Sequence, residues 1–145
     1  AYIFCDAALP IDGKSRFDLF DSEDEAEGFR SAAVDEMLPP FPEEVLRATV
    51  PDAGVRAQFM EDLRSTPLEV YEEPIPLAAT WPDVPVAYLG FSRSRKSYGA
   101  SVKRVIEEKW EFSEIEGAHF HMLVDPDRVA KALLQLAQKC GVELS

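Results

Sequence analysis

Histidine and cysteine are scarce in this sequence: its 145 residues contain two of each. Cys5 and Cys140 stand far apart without a spacing motif. They read as reduced, buried thiols in a cytoplasmic setting rather than as a disulfide framework. His119 and His121 are remote from both cysteines, so zinc-ligand spacing is missing, and no metal or other cofactor is expected. Basic residues are also few, 15 against 27 acidic ones, and the net charge is −12. Nucleic-acid phosphates need a basic face, and so does an anionic membrane surface; both partners are therefore disfavoured. No apolar run is long enough to span a bilayer. No pattern of basic, apolar and small residues reads as a signal peptide.

The length accommodates one core and one domain. The chain opens on the apolar run Ala1-Tyr2-Ile3-Phe4-Cys5, the pattern of a strand buried on both faces. Such a strand needs neighbours on both sides. The expected partner is a complementary N-terminal chain or segment, or a second copy in a swapped homo-oligomer. Ala7 to Arg16 reads as a loop, with Pro10 and Asp12-Gly13 as turn formers. From about Phe17 to Thr80 the pattern is helical. Ser22 and Glu25 have capping-box spacing, and Ala26, Phe29, Ala33 and Met37 share a helical face that Pro39-Pro40 would end. A short helix is expected from Pro42 to about Thr49. Asp52 is expected to cap another, carrying Val55, Phe59 and Leu63 and ending by Pro67. The stretch Tyr71 to Leu77 shows no readable chemistry.

The last part alternates strand and helix. Val84 to Phe91 reads as a second buried strand. Tyr98 to Trp110 reads as a helix with Val102, Ile106 and Lys109 along one side and Val105 beside them. Glu111 to Ile115 reads as a shorter strand near an edge. About Pro126 to Cys140 reads as a helix with the stripe Val129, Leu133, Leu136, Cys140 and a stop at Gly141. Strands alternating with helices imply parallel pairing and the α/β class.

Between the last strand and the last helix lies Gly117-Ala118-His119-Phe120-His121-Met122-Leu123-Val124-Asp125-Pro126. Asp125 followed by Pro126 reads as a helix cap with proline at the first position. His119 therefore falls at the strand-end rim where ligands collect in open α/β sheets. Imidazole titrates near neutral pH, so it suits proton transfer at such a rim. The stretch resembles the histidine loop of the α/β-hydrolase superfamily, in which Gly-x-His-Phe-x-x-Leu-x-x-Pro follows the last core strand. The opening Cys5-Asp6-Ala7-Ala8-Leu9-Pro10-Ile11-Asp12-Gly13 is similar to that family's strand and loop after the nucleophile helix.

The resemblance implies the C-terminal part of an α/β-hydrolase fold, with parallel strands, flanking helices and a helical cap. Residues 1–16 would be core strand and loop, 17–80 the cap, and 81–145 the last core strands and helices. It implies His119 as the base of a catalytic triad, with His121 where many members have proline. His121 is expected to be structural or to line a pocket for a small-molecule ligand. The family serine lies in Gly-x-Ser-x-Gly on a strand that would precede Ala1. The look-alike Gly90-Phe91-Ser92-Arg93-Ser94 lacks the last glycine, and Ser92 reads better as a strand-end hydroxyl.

The triad acid usually follows the strand matching Val84 to Phe91. Here that loop is Ser92-Arg93-Ser94-Arg95-Lys96-Ser97-Tyr98, without a carboxylate and with three cations. Some superfamily members take their acid from the strand matching residues 1–6, which makes Asp6 the candidate. A turn-initiating aspartate also accounts for it. Arg93, Arg95 and Lys96 could clamp a carboxylate or phosphate, and a solvated loop also accounts for them. Two functions follow as expectations, and a structural or interaction fragment without chemistry is a third reading. One is acyl or ester hydrolysis by the completed assembly, with nucleophile and oxyanion hole supplied by the N-terminal part. The other is carboxylate binding, or isomerase or epimerase chemistry, on the same fold.

Overall fold

A computed structural model describes residues 1–20 and 22–143. In chain order it contains β1 (Tyr2–Cys5), a 3-10 turn (Phe17–Leu19), α1 (Glu23–Ser31), β2 (Met37–Leu38), α2 (Glu43–Thr49) and α3 (Ala53–Asp62). Then follow β3 (Thr66–Pro67), α4 (Glu69–Glu72), β4 (Val86–Phe91) and a second 3-10 turn (Ser92–Ser94). The chain ends with α5 (Arg95–Glu107), β5 (Glu111–Ile115), α6 (His121–Val124) and α7 (Pro126–Lys139). It divides into two compact units: Ala1–Leu9 together with the chain from Ala79 onward, and Pro10–Ala78.

The first unit is mixed α/β around a parallel three-stranded sheet in the order β1-β4-β5. All six residues of β4 are buried, as its continuous apolar run requires of a central strand. Side chains alternate across a strand. Ala87, Leu89 and Phe91 therefore meet Val129, Ala132 and Leu136 of α7, with Ile3, Cys5 and Ile115 at the margin. Tyr88 points to the opposite face and packs with Leu9 and with Val102 and Val105 of α5. Each fully buried aliphatic side chain in these two layers contributes about 1.5–3 kcal/mol. The α7 helix is set by local signals: Asp125 Oδ1 accepts from the Arg128 amide at 3.1 Å, Pro126 opens the first turn, and Gly141 takes φ 79° just past the end.

The β1 strand was expected to be buried on both faces once a complementary segment or a second copy supplies its other neighbour. Among the described residues it pairs only with β4, in the register Tyr2 to Val86 through Cys5 to Leu89, and Tyr2 is exposed. The central place belongs to β4, which is sandwiched between α5 and α7. On α5, Val102, Ile106 and Lys109 were expected along one side; the helix ends at Glu107, Ile106 is 61% exposed, and Val102 and Val105 face Tyr88. The helix also begins earlier than expected, at Arg95, and its backbone leaves helical geometry at Tyr98 (φ −129°, ψ 17°). Finally, α6 was not anticipated, because four residues are too few to display a helical period.

The second unit is mainly helical. Ser22 Oγ accepts from the Glu25 amide at 3.2 Å and Asp52 Oδ1 from the Val55 amide at 2.8 Å, so both expected caps form. The stripe through Ala33 and Met37 was expected to continue α1. Instead α1 ends at Ser31, and Met37–Leu38 pairs antiparallel with Thr66–Pro67. Asp35 and Glu36 adopt φ values of 51° and 60°, a left-handed turn that no helix can contain. Aromatic contacts join Phe17, Phe20, Phe29 and Tyr71, with the Arg30 guanidinium 4.4 Å above Phe17. A cavity of about 520 Å³, walled by Phe29, Leu38, Phe41, Leu63 and Tyr71 among others, belongs wholly to this unit.

Candidate functional site

The chemistry-bearing residues of the first unit meet at the C-terminal ends of its strands. Asp6 follows directly on β1. Its amide donates to the Leu89 carbonyl at 2.7 Å, continuing the β1–β4 ladder by one residue. Its φ of 47° is left-handed, a conformation that aspartate tolerates better than branched residues. That turn sends the side chain inward, where it is 2% exposed. Oδ1 accepts from the Phe91 amide at 3.0 Å, and Oδ2 lies 3.0 Å from His119 Nδ1. One carboxylate thus ties the end of β4 to the histidine loop. A buried carboxylate is costly unless its oxygens are satisfied, and these two bonds satisfy one lone pair on each.

The partner assigns the tautomer of His119. With the Asp6 carboxylate ionised, it can only accept, so a neutral His119 would donate from Nδ1 and keep Nε2 as its acceptor. The His119 side chain is 36% exposed, so the pair has one buried and one accessible member. Burial, with the Asp6 charge adding, pushes the Cys5 thiol up to about 11, which keeps it protonated and unreactive at neutral pH. The Tyr88 phenol is likewise raised, first by burial and then by Asp6; it donates to the Ala7 carbonyl at 2.8 Å.

The other candidates are placed differently. His121 is buried, its ring set edge-on to Phe91 at 5.7 Å, and among the described residues its Nε2 has no hydrogen-bond partner. It packs under the loop beside Gly117. A Cβ built on Gly117 would overlap the His121 ring, coming within 2.7 Å of Nδ1 and 2.8 Å of Cβ. Gly117→Ala is therefore expected to destabilise the protein by about 1–3 kcal/mol, as overpacked cores do. Urea denaturation checks it; an unchanged midpoint would show that the His121 ring yields freely.

Arg93 donates its amide to the Gly117 carbonyl at 2.9 Å, so the β4 and β5 ends are stitched by backbone. Arg95 is paired with Glu114 at 2.7 Å, which leaves its charge already answered. Arg93 and Lys96 are exposed and, among the described residues, form no ion pair. Ser92 is half-buried in the turn after β4, and among the described residues no serine hydroxyl is hydrogen-bonded to His119. Nor, among these residues, does any group of three His, Cys, Asp or Glu side chains have an arrangement that could hold a metal ion.

Sequence reasoning missed two participants. The Phe91 amide has no side-chain signature. Tyr98 lies with its ring 5.2 Å from that of His119 and tilted by 31°. Its place as the first expected helical residue beyond a strand-end loop was the available signal. No family model, no curated protein and no solved structure matches the chain. Among the described residues, no helix is long and apolar enough to cross a membrane.

Proposed function

We propose that this chain is the C-terminal part of an α/β-hydrolase fold and that the completed protein hydrolyses an ester or related acyl bond. The observation carrying this reading is the 3.0 Å contact between His119 Nδ1 and the buried Asp6 carboxylate. In this mechanism Nε2 takes the proton of a serine hydroxyl as its oxygen attacks the acyl carbon. Asp6 stabilises the imidazolium that results, and that proton then goes to the departing alkoxide. Water repeats the cycle on the acyl-enzyme and restores the serine. The serine and oxyanion donors come from a complementary N-terminal segment or chain. Among the described residues β1 pairs only with β4, so its other edge offers such a segment a strand to join.

A second reading is favoured by one observation. Arg93 and Lys96 are exposed and, among the described residues, form no ion pair just past the end of β4, where they could hold a carboxylate ligand. The fold would then bind an acid or perform isomerase or epimerase chemistry. Labelling with a fluorophosphonate, which reacts with activated serines, separates the two. The hydrolase reading expects one serine of the assembled protein to be phosphonylated and ester turnover to stop. An assembled protein with no labelled serine, and with succinate binding lost when Arg93 and Lys96 are neutralised, would overturn it in favour of the second.

A further inference from the structure

We propose that Tyr98 is a positioning residue that sets the plane of the His119 ring, a role that rests on the hydrolase reading of the Asp6–His119 pair. One hydrogen bond fixes a point and not a plane. With Nδ1 held 3.0 Å from Asp6 Oδ2, the imidazole is still able to pivot about that contact. Its outer torsion is intrinsically broad, so pivoting would swing Nε2 across the rim. Two aromatic rings remove that freedom. Tyr98 covers the imidazole at 5.2 Å with planes 31° apart, and Phe120 meets it edge-on at 4.9 Å and 62°.

The backbone is built for this placement. Helix α5 breaks at Tyr98, whose φ and ψ are −129° and 17°. The break frees the direction of Tyr98 from the face that Val102 and Val105 turn towards Tyr88. An unbroken helix would tie the two directions together, because helical side chains follow a fixed period. An aromatic ring 5.2 Å from the imidazole also favours the cation formed when Nε2 takes up a proton. Tyr98 thus restricts Nε2 to one direction of approach and supports its charged form.

The test compares Tyr98→Phe and Tyr98→Leu in the assembled protein. Two readouts are taken: kcat and KM for p-nitrophenyl acetate, and NMR relaxation of the histidine rings, of which the chain has two. Phenylalanine keeps the ring, so turnover within about twofold of wild type and an ordered His119 ring are expected. Leucine keeps bulk but loses the flat face. It is expected to lower kcat by about tenfold to hundredfold at nearly constant KM, the cost of a small misplacement. The His119 ring should become more mobile in the leucine variant while His121 stays ordered. A His119 ring as ordered in Tyr98→Leu as in wild type would overturn the proposal, and so would a phenylalanine variant as impaired as the leucine one. If His119→Ala leaves turnover undiminished, the hydrolase reading fails instead, and the ring-order comparison alone decides the role of Tyr98.

Discussion

Ester turnover by the completed protein is expected to fall on the order of 10³-fold or more when His119 is replaced by alanine. Base and nucleophile act as one unit, so removing the base forfeits nearly all of the gain from both. The fold should tolerate the change. His119 is partly exposed and lies in a loop, and the β4 core does not include it. The control is His121→Phe. It keeps a ring against Phe91 and removes an Nε2 that is buried without a partner. Removing an unsatisfied buried polar atom is close to neutral or stabilising. Turnover should therefore survive in His121→Phe and vanish in His119→Ala, with both proteins folded by circular dichroism. Equal losses in the two would mean that the loop matters as a structure and that His119 is not the base.

The second large effect is at Asp6, where asparagine and alanine should part company. Asparagine tolerates the left-handed backbone that Asp6 adopts at φ 47° and still offers an oxygen to the Phe91 amide. It lacks the charge that stabilises the imidazolium and that specifies a proton on Nδ1. The expected result for Asp6→Asn is a kcat lowered by about 10³–10⁴-fold in a protein of nearly unchanged stability. Alanine does more damage to the fold. It leaves the Phe91 amide without its partner, at about 1–3 kcal/mol, and places a residue poorly suited to a positive φ at the turn. Urea unfolding and steady-state kinetics on both variants separate the two roles. A fully active Asp6→Asn protein would reduce Asp6 to a turn residue that happens to touch His119.

Much of the local architecture was legible because its causes are local. The continuous apolar run of β4, the proline after Asp125, and the serine and aspartate caps at Ser22 and Asp52 each act within a few residues. The chain reads as α/β from alternation alone, and the parallel sheet follows. Local signals failed where another preference won within the same window. The stripe of α1 ran on through Met37 on paper. Two left-handed residues and a short ribbon partner, Thr66–Pro67, took that segment out of the helix. The period through Ile106 was real, but the face that packs is decided by where Tyr88 lies.

By itself, then, the sequence determined the class, the buried run of β4, the last helix and the place of His119 in a loop after a strand. It also put a titratable imidazole two residues from another without saying which one is buried. Only the tertiary structure decided that. The ring of His121 fills space beside Gly117 and Phe91, while His119 is left at the rim. The meeting of Asp6 and His119 spans 113 residues. It depends on the register of β1 against β4, on a left-handed turn at Asp6 and on the stitch from the Arg93 amide to Gly117. No pattern of neighbours encodes such a contact, because its geometry is the sum of several strand registers and loop closures. The same holds for Tyr98, whose ring meets the imidazole at 5.2 Å from a break in helix α5.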